Sequence, residues 1–383
     1  MQSQDPSTLA NFVVLGGLVV GLVLGVVGQA TRFCIRGAIS DWVIFRGPAR
    51  LVSWLLAVGV GAVCVQGLIS TGLLDATRTV AWSDRLVWLS YLVGGLLFGY
   101  GMILSGGCPQ RCLVKAGAGS LKAAVALVVL AIVALMTLRG AFAGVRAQYL
   151  DSVAWTLAGP QDVGGILSRT FGVDAASLRW TLSLLLLAAV VAFAWRVRRS
   201  LDVAHWVGGV AVGLLLAAAF FLTGSVGFLP EHPQTLEPTW LGTQSRRPEG
   251  LSFSAPLAGA LDLLTMWSDR ATVATFGVTL MLGVLVGSHL SARLRGEFKL
   301  ESFTTPKDLA SHAAGAALMG FGGVTALGCS VGNGVTGLAL LSVGSGLAVA
   351  GIVVGACLAL KVEGRAESVP AGSSPVLPAA SHG

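Results

Sequence analysis

Charge is what this chain of 383 residues has least of. Only 11% of its residues are Asp, Glu, Lys or Arg, whereas 54% are hydrophobic. An ordinary soluble domain carries about 25% charged residues, so this composition excludes a protein whose whole surface faces water. Apolar runs of roughly 20 residues recur, and each is long enough to cross a hydrocarbon core of about 30 Å as a helix. The composition predicts an all-α polytopic membrane protein.

Motifs of several other functional classes are also absent. The sequence has no Gly-x-x-x-x-Gly-Lys-Ser/Thr loop, which argues against an ATP site. It has no Cys-x-x-Cys dithiol, and its five histidines are scattered. Cys108 and Cys112 are four residues apart and would share a helix face, but no further ligand for a soft metal lies nearby. We therefore predict neither an enzyme nor a cofactor or metal site.

Nine transmembrane spans account for the apolar runs. We place them near residues 9–28, 50–72, 86–105, 120–138, 179–195, 203–223, 271–290, 308–327 and 338–360. No Lys or Arg precedes the first run, so a cleaved signal peptide is not expected.

The basic residues are distributed unevenly between the two sides of these spans. Sixteen of the 25 Lys and Arg residues fall on the side that holds the C-terminus, and nine on the other. Because basic residues concentrate in cytoplasmic loops, we predict a cell inner-membrane protein with its N-terminus outside and its C-terminus in the cytoplasm. The formal charge of +7 reflects this bias, and we find no nucleic-acid signature in it.

An internal repeat becomes visible when Cys108 is aligned with Cys329. This offset of 221 residues superimposes GGLLFGYGMILSGGC on GAALMGFGGVTALGC. Four glycines coincide, namely Gly94, Gly99, Gly101 and Gly107 with Gly315, Gly320, Gly322 and Gly328. The third span is thus repeated as the eighth, five spans later, and an odd separation makes the two copies run in opposite directions. Inverted repeats are typical of transporters whose substrate site lies near the membrane midplane.

The repeat divides the chain into four parts. A weaker match links the first span to the sixth. We therefore assign residues 1–138 to the first inverted repeat, 139–200 to an external segment and linker helix, 201–361 to the second repeat, and 362–383 to a disordered C-terminal tail.

The six cysteines fall into two groups. Cys64 and Cys357 lie inside apolar spans, where a free cysteine behaves as a small hydrophobic residue. Cys34, Cys108 and Cys329 lie where a span ends beside glycines, and packing alone does not call for a thiol there. A short, moderately apolar segment follows each of these three and predicts a re-entrant half-helix. The stretch LSFSAPLAGALDLLTM predicts a fourth.

Thiols in a membrane pathway favour a soft substrate. A thiol offers a polarizable sulfur and a weak S–H donor, which suits an oxoanion with a terminal sulfur. Four basic residues flank the cysteine motifs, namely Arg32, Arg36, Arg111 and Lys115. They either favour an anion or simply face the cytoplasm and set the orientation. In the outer segment 224–270, Arg246 and Arg247 either gather anions in a vestibule or belong to a solvated loop.

Three motifs, FCIRGA, GGCPQRCLVKAGAGSLK and GCSVGNGVTG, together resemble the YeeE/YedE family of sulfur-compound transporters. Characterised members of that family take up thiosulfate, and the resemblance extends from about residue 9 to 360. It implies an hourglass-shaped bundle of inverted halves in which a central line of cysteines passes thiosulfate by S–H···S contacts. The substrate-binding residues that it implies are Cys34, Cys108 and Cys329. The supporting residues are Cys112, Arg36, Gly107, Gly328 and Asn333.

Two questions stay open at the level of sequence. Cys112 stands where many relatives would have a small or polar residue, which leaves room for a different sulfur anion. No soluble sulfur-carrier domain is fused to the chain, so a carrier on the cytoplasmic side would be a separate partner. The alternative function is a thiol-disulfide electron relay between Cys108 and Cys329, which would require the two Cα atoms to come within about 7 Å.

Overall fold

The computed structural model describes residues 6–231, 236–269 and 272–368, and almost all of this chain is helical. In chain order the helices are α1 (Pro6–Thr31), α2 (Ile35–Ser40), α3 (Ala49–Ser70), α4 (Trp88–Leu104), α5 (Pro109–Gly117), α6 (Leu121–Leu138), α7 (Ala143–Val145), α8 (Val163–Phe171), α9 (Ala175–Arg196), α10 (Val203–Phe221), α11 (Ser254–Thr265), α12 (Phe276–Leu294), α13 (Pro306–Thr325) and α14 (Val343–Ser368). Two antiparallel pairs of very short strands complete the fold, β1 (Arg85–Leu86) with β2 (Trp155–Thr156) and β3 (Phe228–Leu229) with β4 (Thr239–Trp240).

Nine of the helices in the described ranges have 17 residues or more, and each overlaps one predicted span. Eight of them are long and apolar enough to cross a membrane. The protein is therefore an all-α polytopic membrane protein, as its composition predicts. The exception by composition is α13. It begins at the N-cap Thr305, carries Lys307 and Asp308 in its first turn, and is rich in glycine and alanine.

The two copies of the repeated glycine motif pack against each other at the crossing of α4 and α13. A Cβ atom at Gly94 would lie 2.7 Å from the carbonyl oxygen of Gly322, and one at Gly315 would lie 2.6 Å from that of Gly101. The two helices are therefore antiparallel. Gly315 and Gly322 are the repeat copies of Gly94 and Gly101, so each glycine faces the copy of the other. This is the contact pattern of a two-fold axis within one chain.

The neighbouring helices form equivalent pairs in the two halves of the chain. Helix α1 packs on α12, and its counterpart α10 packs on α3; α4 packs on α14, and its counterpart α13 packs on α6. Along the first pair, Gly21 faces Leu280 and Gly25 faces Val284, so these helices run parallel. Glycine lets the two backbones approach closely at such points. Helix α13 packs antiparallel to α4 and also contacts α6, so it lies within the bundle of long helices although its composition is less apolar.

Short helical elements occur at all four places where the sequence predicts them. They are α2, α5, α11 and one helical segment, Gly332–Gly337. They contain 6, 9, 12 and 6 residues, and a helix that rises 1.5 Å per residue cannot cross about 30 Å of hydrocarbon at such lengths. Helix α5 packs between α6 and α12, and α2 between α3 and α14. Both short helices thus contact long helices from the two halves.

The segment that joins the halves is fastened by one buried ion pair. Asp162 is fully buried, caps α8 by accepting a hydrogen bond from Gly165 N–H at 2.7 Å, and forms a salt bridge with Arg179 of α9 at 2.7 Å. Helix α9 packs mainly on α3 and leaves most of its surface exposed. At the other end of the chain, α14 continues to Ser368, so the first seven residues of the predicted tail are helical. The remaining residues of that tail, 369–383, lie outside the described ranges.

Candidate functional site

The three motif cysteines each stand at or shortly before the start of a short helical element. Cys34 is the N-cap of α2, and its Sγ accepts a hydrogen bond from Gly37 N–H at 3.5 Å. Cys329 precedes the segment Gly332–Gly337, and its Sγ accepts from Gly332 N–H at 3.3 Å. Cys108 is the N-cap of α5. An N-cap residue usually supplies an oxygen acceptor for the free N–H groups of the first turn. At Cys34 a sulfur takes that place, whereas the Cys108 side chain makes no cap hydrogen bond.

The side chains of Cys34 and Cys108 lie near enough to influence each other electrostatically. The hydroxyl of Ser330 approaches Cys108 from the second half of the chain. Its neighbour Cys329 lies on the side of Gly332 that also holds Ser252, because a Cβ atom at Gly332 would be 3.8 Å from Cys329 Sγ and 3.0 Å from Ser252 Oγ. Because Ser330 lies near Cys108, the adjacent residue Cys329 is linked through the chain to the Cys34–Cys108 pair. All six cysteines are free thiols.

Positive charge surrounds the pair formed by Cys34 and Cys108. The guanidinium groups of Arg36 and Arg111 both act on the Cys34 sulfur. Neither arginine forms a salt bridge with a carboxylate in the described part of the chain, and Arg36 Nε is buried without a hydrogen-bond partner there. Uncompensated cations at such depth favour an anionic ligand. Arg32 differs, because it is exposed and interacts with Glu297.

Cys112 supports the turn that precedes Cys108. It is buried, and its Sγ donates to the carbonyl oxygen of Gly107 at 3.6 Å. A Cβ atom at Gly107 would lie 3.3 Å from that sulfur, so a larger residue there would require the Cys112 side chain to shift. Lys115 Nζ donates to the carbonyl oxygen of Gly106 at 2.8 Å. In the described residues, no group of three or more His, Cys, Asp or Glu side chains could hold a metal ion.

Asn333 braces the corresponding turn in the second half. Its Nδ2 donates to the carbonyl oxygens of Ala326 and Gly328, each at 2.9 Å, and its Oδ1 accepts from Ser345 Oγ at 3.1 Å. A Cβ atom at Gly328 would lie 3.0 Å from Asn333 Nδ2. The amide of Asn333 therefore holds together the end of α13 and the start of α14, and it needs a glycine at position 328.

A series of cavities leads from the side predicted to be external toward Cys329. The innermost, of about 350 Å³, reaches Gly332 and Asn333. It shares Arg139 and Gln244 with a second cavity of about 510 Å³. The second shares Arg246 with a third of about 360 Å³. The innermost cavity reaches Gly332, which is separated from Ser330 by the single residue Val331.

The ionisable groups on this route have both signs: the four arginines are Arg78, Arg139, Arg246 and Arg247, and the three carboxylates are Glu237, Asp262 and Glu249. The outermost cavity is lined by Arg78, Arg246, Arg247 and the single carboxylate of Glu237. Glu249 lines the innermost cavity. Burial raises the pKa of Glu249, which favours its neutral form and limits negative charge on the route.

Three polar residues of the site had no individual role in the sequence prediction. Ser252 lies beside the Cys329 region, Glu249 lines the inner cavity, and Ser330 touches Cys108. Of these, only Ser330 had a usable signal, since it follows Cys329 within the quoted motif. The other two are brought to the site by tertiary packing.

Comparison with known proteins supports the same reading of the molecule. The family described as Sulphur transport matches residues 30–358. The chain is 27% identical over 353 residues to the thiosulfate transporter TsuA of Escherichia coli (strain K12), covering 86% of this chain and 88% of that protein. It is 25% identical over 337 residues to the thiosulfate transporter TsuA of Spirochaeta thermophila, covering 87% and 93%. The chain therefore belongs to the Sulphur transport family, which confirms the resemblance noted from the cysteine motifs and makes it a membrane transporter and not an enzyme.

Proposed function

We propose that this protein takes up thiosulfate, or a closely related soft sulfur anion, through a central pathway lined by Cys34, Cys108 and Cys329. The observation that carries the proposal is the proximity of the Cys34 and Cys108 side chains to each other and to two arginines, Arg36 and Arg111. Neither arginine forms a salt bridge among the described residues. The two TsuA relatives are named as thiosulfate transporters, which supports the choice of substrate.

The chemistry of the pathway follows from the thiol group. An S–H donor forms weak hydrogen bonds, and the terminal sulfur of thiosulfate is a soft acceptor of matching size. Passage through a pathway requires binding that is favourable enough for entry and weak enough for release. Several weak thiol stations meet this requirement better than one tight site, and no covalent bond to the substrate is needed.

The order of stations follows the two halves of the chain. The anion enters from outside through the cavities lined by Arg246 and Arg139, reaches Cys329, and continues past Ser330 to Cys34 and Cys108. It leaves on the cytoplasmic side, where the positive-inside rule places the C-terminus of an inner-membrane protein. A separate soluble sulfur carrier could then accept it.

The electron relay between Cys108 and Cys329 is not favoured. The thiol that acts on Cys108 is that of Cys34, and the matching family is one of transport.

Uptake of isotope-labelled thiosulfate into cells without their own sulfur importers tests the proposal. We expect uptake by the wild type and its loss in Cys34→Ala, Cys108→Ala and Cys329→Ala, with expression and membrane insertion checked for each variant. Cys64→Ala and Cys357→Ala are matched controls, because these residues pack within long helices, and should retain uptake. A well-expressed wild type that takes up no thiosulfate would refute the assignment.

A further inference from the structure

A separate cavity of about 230 Å³ opens beside the Cys34–Cys108 pair, between α2, α3 and α14. Ile35, the residue after Cys34, lines it at one end, and Ser330, which touches Cys108, lines it as well. The remaining lining is apolar except for the indoles of Trp42 and Trp54, and Trp42 is partly exposed. The cavity therefore adjoins the thiol pair and contains very few polar groups.

Two of the three polar side chains that line this cavity, Ser330 and Trp54, are buried without a hydrogen-bond partner in the described residues. Ser330 is only 1% exposed, and its Oγ has no partner among the described residues. Trp54 Nε1 is likewise buried and unpartnered in the described ranges, and it lies 3.6 Å from the Cβ position of Gly334. Buried polar groups are nearly always hydrogen-bonded, and exceptions call for an explanation.

The two unpartnered groups are both donors. The indole N–H can only donate, and a serine hydroxyl can donate as readily as it accepts. No carboxylate lines the cavity in the described residues, so a bound cation would find no counter-charge there. An oxygen that carries negative charge is the ligand that satisfies both donors at once.

We propose that Ser330 Oγ–H and Trp54 Nε1–H form an oxygen-binding subsite, which donates hydrogen bonds to the oxygens of a sulfur oxoanion while its terminal sulfur contacts Cys34 and Cys108. This inference rests on the proposed function and deepens it. Thiols alone would accept any soft anion, including hydrosulfide, which has no oxygen. The donors of the subsite select a molecule that has both a soft end and an oxyanion end.

Binding of labelled thiosulfate to the purified full-length protein, measured by equilibrium dialysis, tests the subsite. A hydrogen bond to a charged ligand is strong enough that its loss weakens binding roughly tenfold or more. We therefore expect Kd to rise at least tenfold in Ser330→Ala and in Trp54→Phe. Ser330→Thr keeps the hydroxyl and should recover most of the affinity.

Two matched variants separate a binding role from a general packing effect. Ser183 is also fully buried with an unpartnered Oγ, but it lies on α9, away from the cavity. Trp206 is partly buried on α10 and packs against a different apolar cluster. Ser183→Ala and Trp206→Phe should bind thiosulfate as the wild type does.

The possible outcomes are distinct. If the wild type binds thiosulfate and Ser330→Ala and Trp54→Phe bind it equally well, the subsite is refuted while the proposed function stands. If Ser330→Thr binds as poorly as Ser330→Ala although both remain folded, the hydroxyl is not the binding group and the subsite is again refuted. If the folded wild type neither binds nor transports thiosulfate, the proposed function itself fails and the subsite with it.

Discussion

The antiparallel crossing of α4 and α13 makes a quantitative prediction about Gly94. A Cβ atom added there would lie 2.5 Å from the backbone nitrogen of Ala326 and 2.7 Å from the carbonyl oxygen of Gly322. Backbone atoms cannot rotate away, so the two helices must separate. Overpacking of this kind costs about 1–3 kcal/mol, against a gain of about 1 kcal/mol in helix propensity when alanine replaces glycine.

A second glycine-to-alanine substitution, at a position with no close neighbours, gains the same helix propensity and therefore serves as the reference. Gly67 lies in α3, and an added Cβ atom there meets nothing within 4 Å. Relative to Gly67→Ala, Gly94→Ala should therefore be less stable by about 1–3 kcal/mol. For a chain of this size, 1 kcal/mol corresponds to roughly 2 °C in Tm, so thermal unfolding in detergent should show a difference of about 2–6 °C.

The two-fold relation between α4 and α13 predicts the same effect at a second glycine. Gly315 is the repeat copy of Gly94, and a Cβ atom there would lie 2.6 Å from the carbonyl oxygen of Gly101 and 2.7 Å from the nitrogen of Ser105. Gly315→Ala should therefore lower Tm by about as much as Gly94→Ala does. Equal Tm values for Gly94→Ala and Gly67→Ala would refute the packing argument, and an effect at only one of the two related glycines would refute the symmetry.

Three further predictions concern the site. Asn333→Ala leaves two buried carbonyl groups without donors and should reduce stability by about 2–4 kcal/mol, measured by the same unfolding assay, with a smaller loss in Ser345→Ala. Arg36→Gln removes a cation beside Cys34 and should raise the KM for thiosulfate roughly tenfold, whereas Arg36→Lys should stay closer to the wild type in uptake assays. Ionisation of Glu249 above its raised pKa adds negative charge to the inner cavity, so the wild-type KM should rise as external pH rises through that pKa and Glu249→Gln should show no such rise.

Each of these predictions has a contradicting result. Asn333→Ala with the stability of the wild type would mean that the turn does not depend on the amide. An unchanged KM in Arg36→Gln would place that guanidinium outside the pathway. If the wild type and Glu249→Gln gave the same dependence of KM on pH, the Glu249 carboxyl would not face the anion.

Much of the fold could be predicted from the sequence because its signals are local. Each apolar run of about 20 residues has one stable form in hydrocarbon, a helix that satisfies its own backbone hydrogen bonds, and all nine predicted spans are helices. The position of α2 and of α5 follows from glycine-flanked cysteines that end a run. Helix α13, which is the least apolar of the nine long helices by composition, was also predicted as a span, and it repeats the glycine motif of α4.

The site was predictable only in part. Cys34, Cys108 and Cys329 could be named from their motifs, but no local pattern says which thiols meet. Cys34 and Cys108 are 74 residues apart in the chain, and their contact depends on how α1, α4 and the short helices pack. The roles of Ser330, Trp54 and Glu249 depend on the same packing.

The sequence by itself predicted that this protein lies in a membrane, where its nine long helices fall, that two of its spans share a glycine motif, and which cysteines end spans. These properties follow from composition, periodicity and register, which are linear features of a chain. Only the tertiary structure decided that Cys34 lies beside Cys108, that Asn333 and Cys112 support turns, and that two buried donors line a cavity next to the thiols. Such contacts join residues far apart in the chain, because close packing of glycine-rich helices and not local preference sets the distances between them.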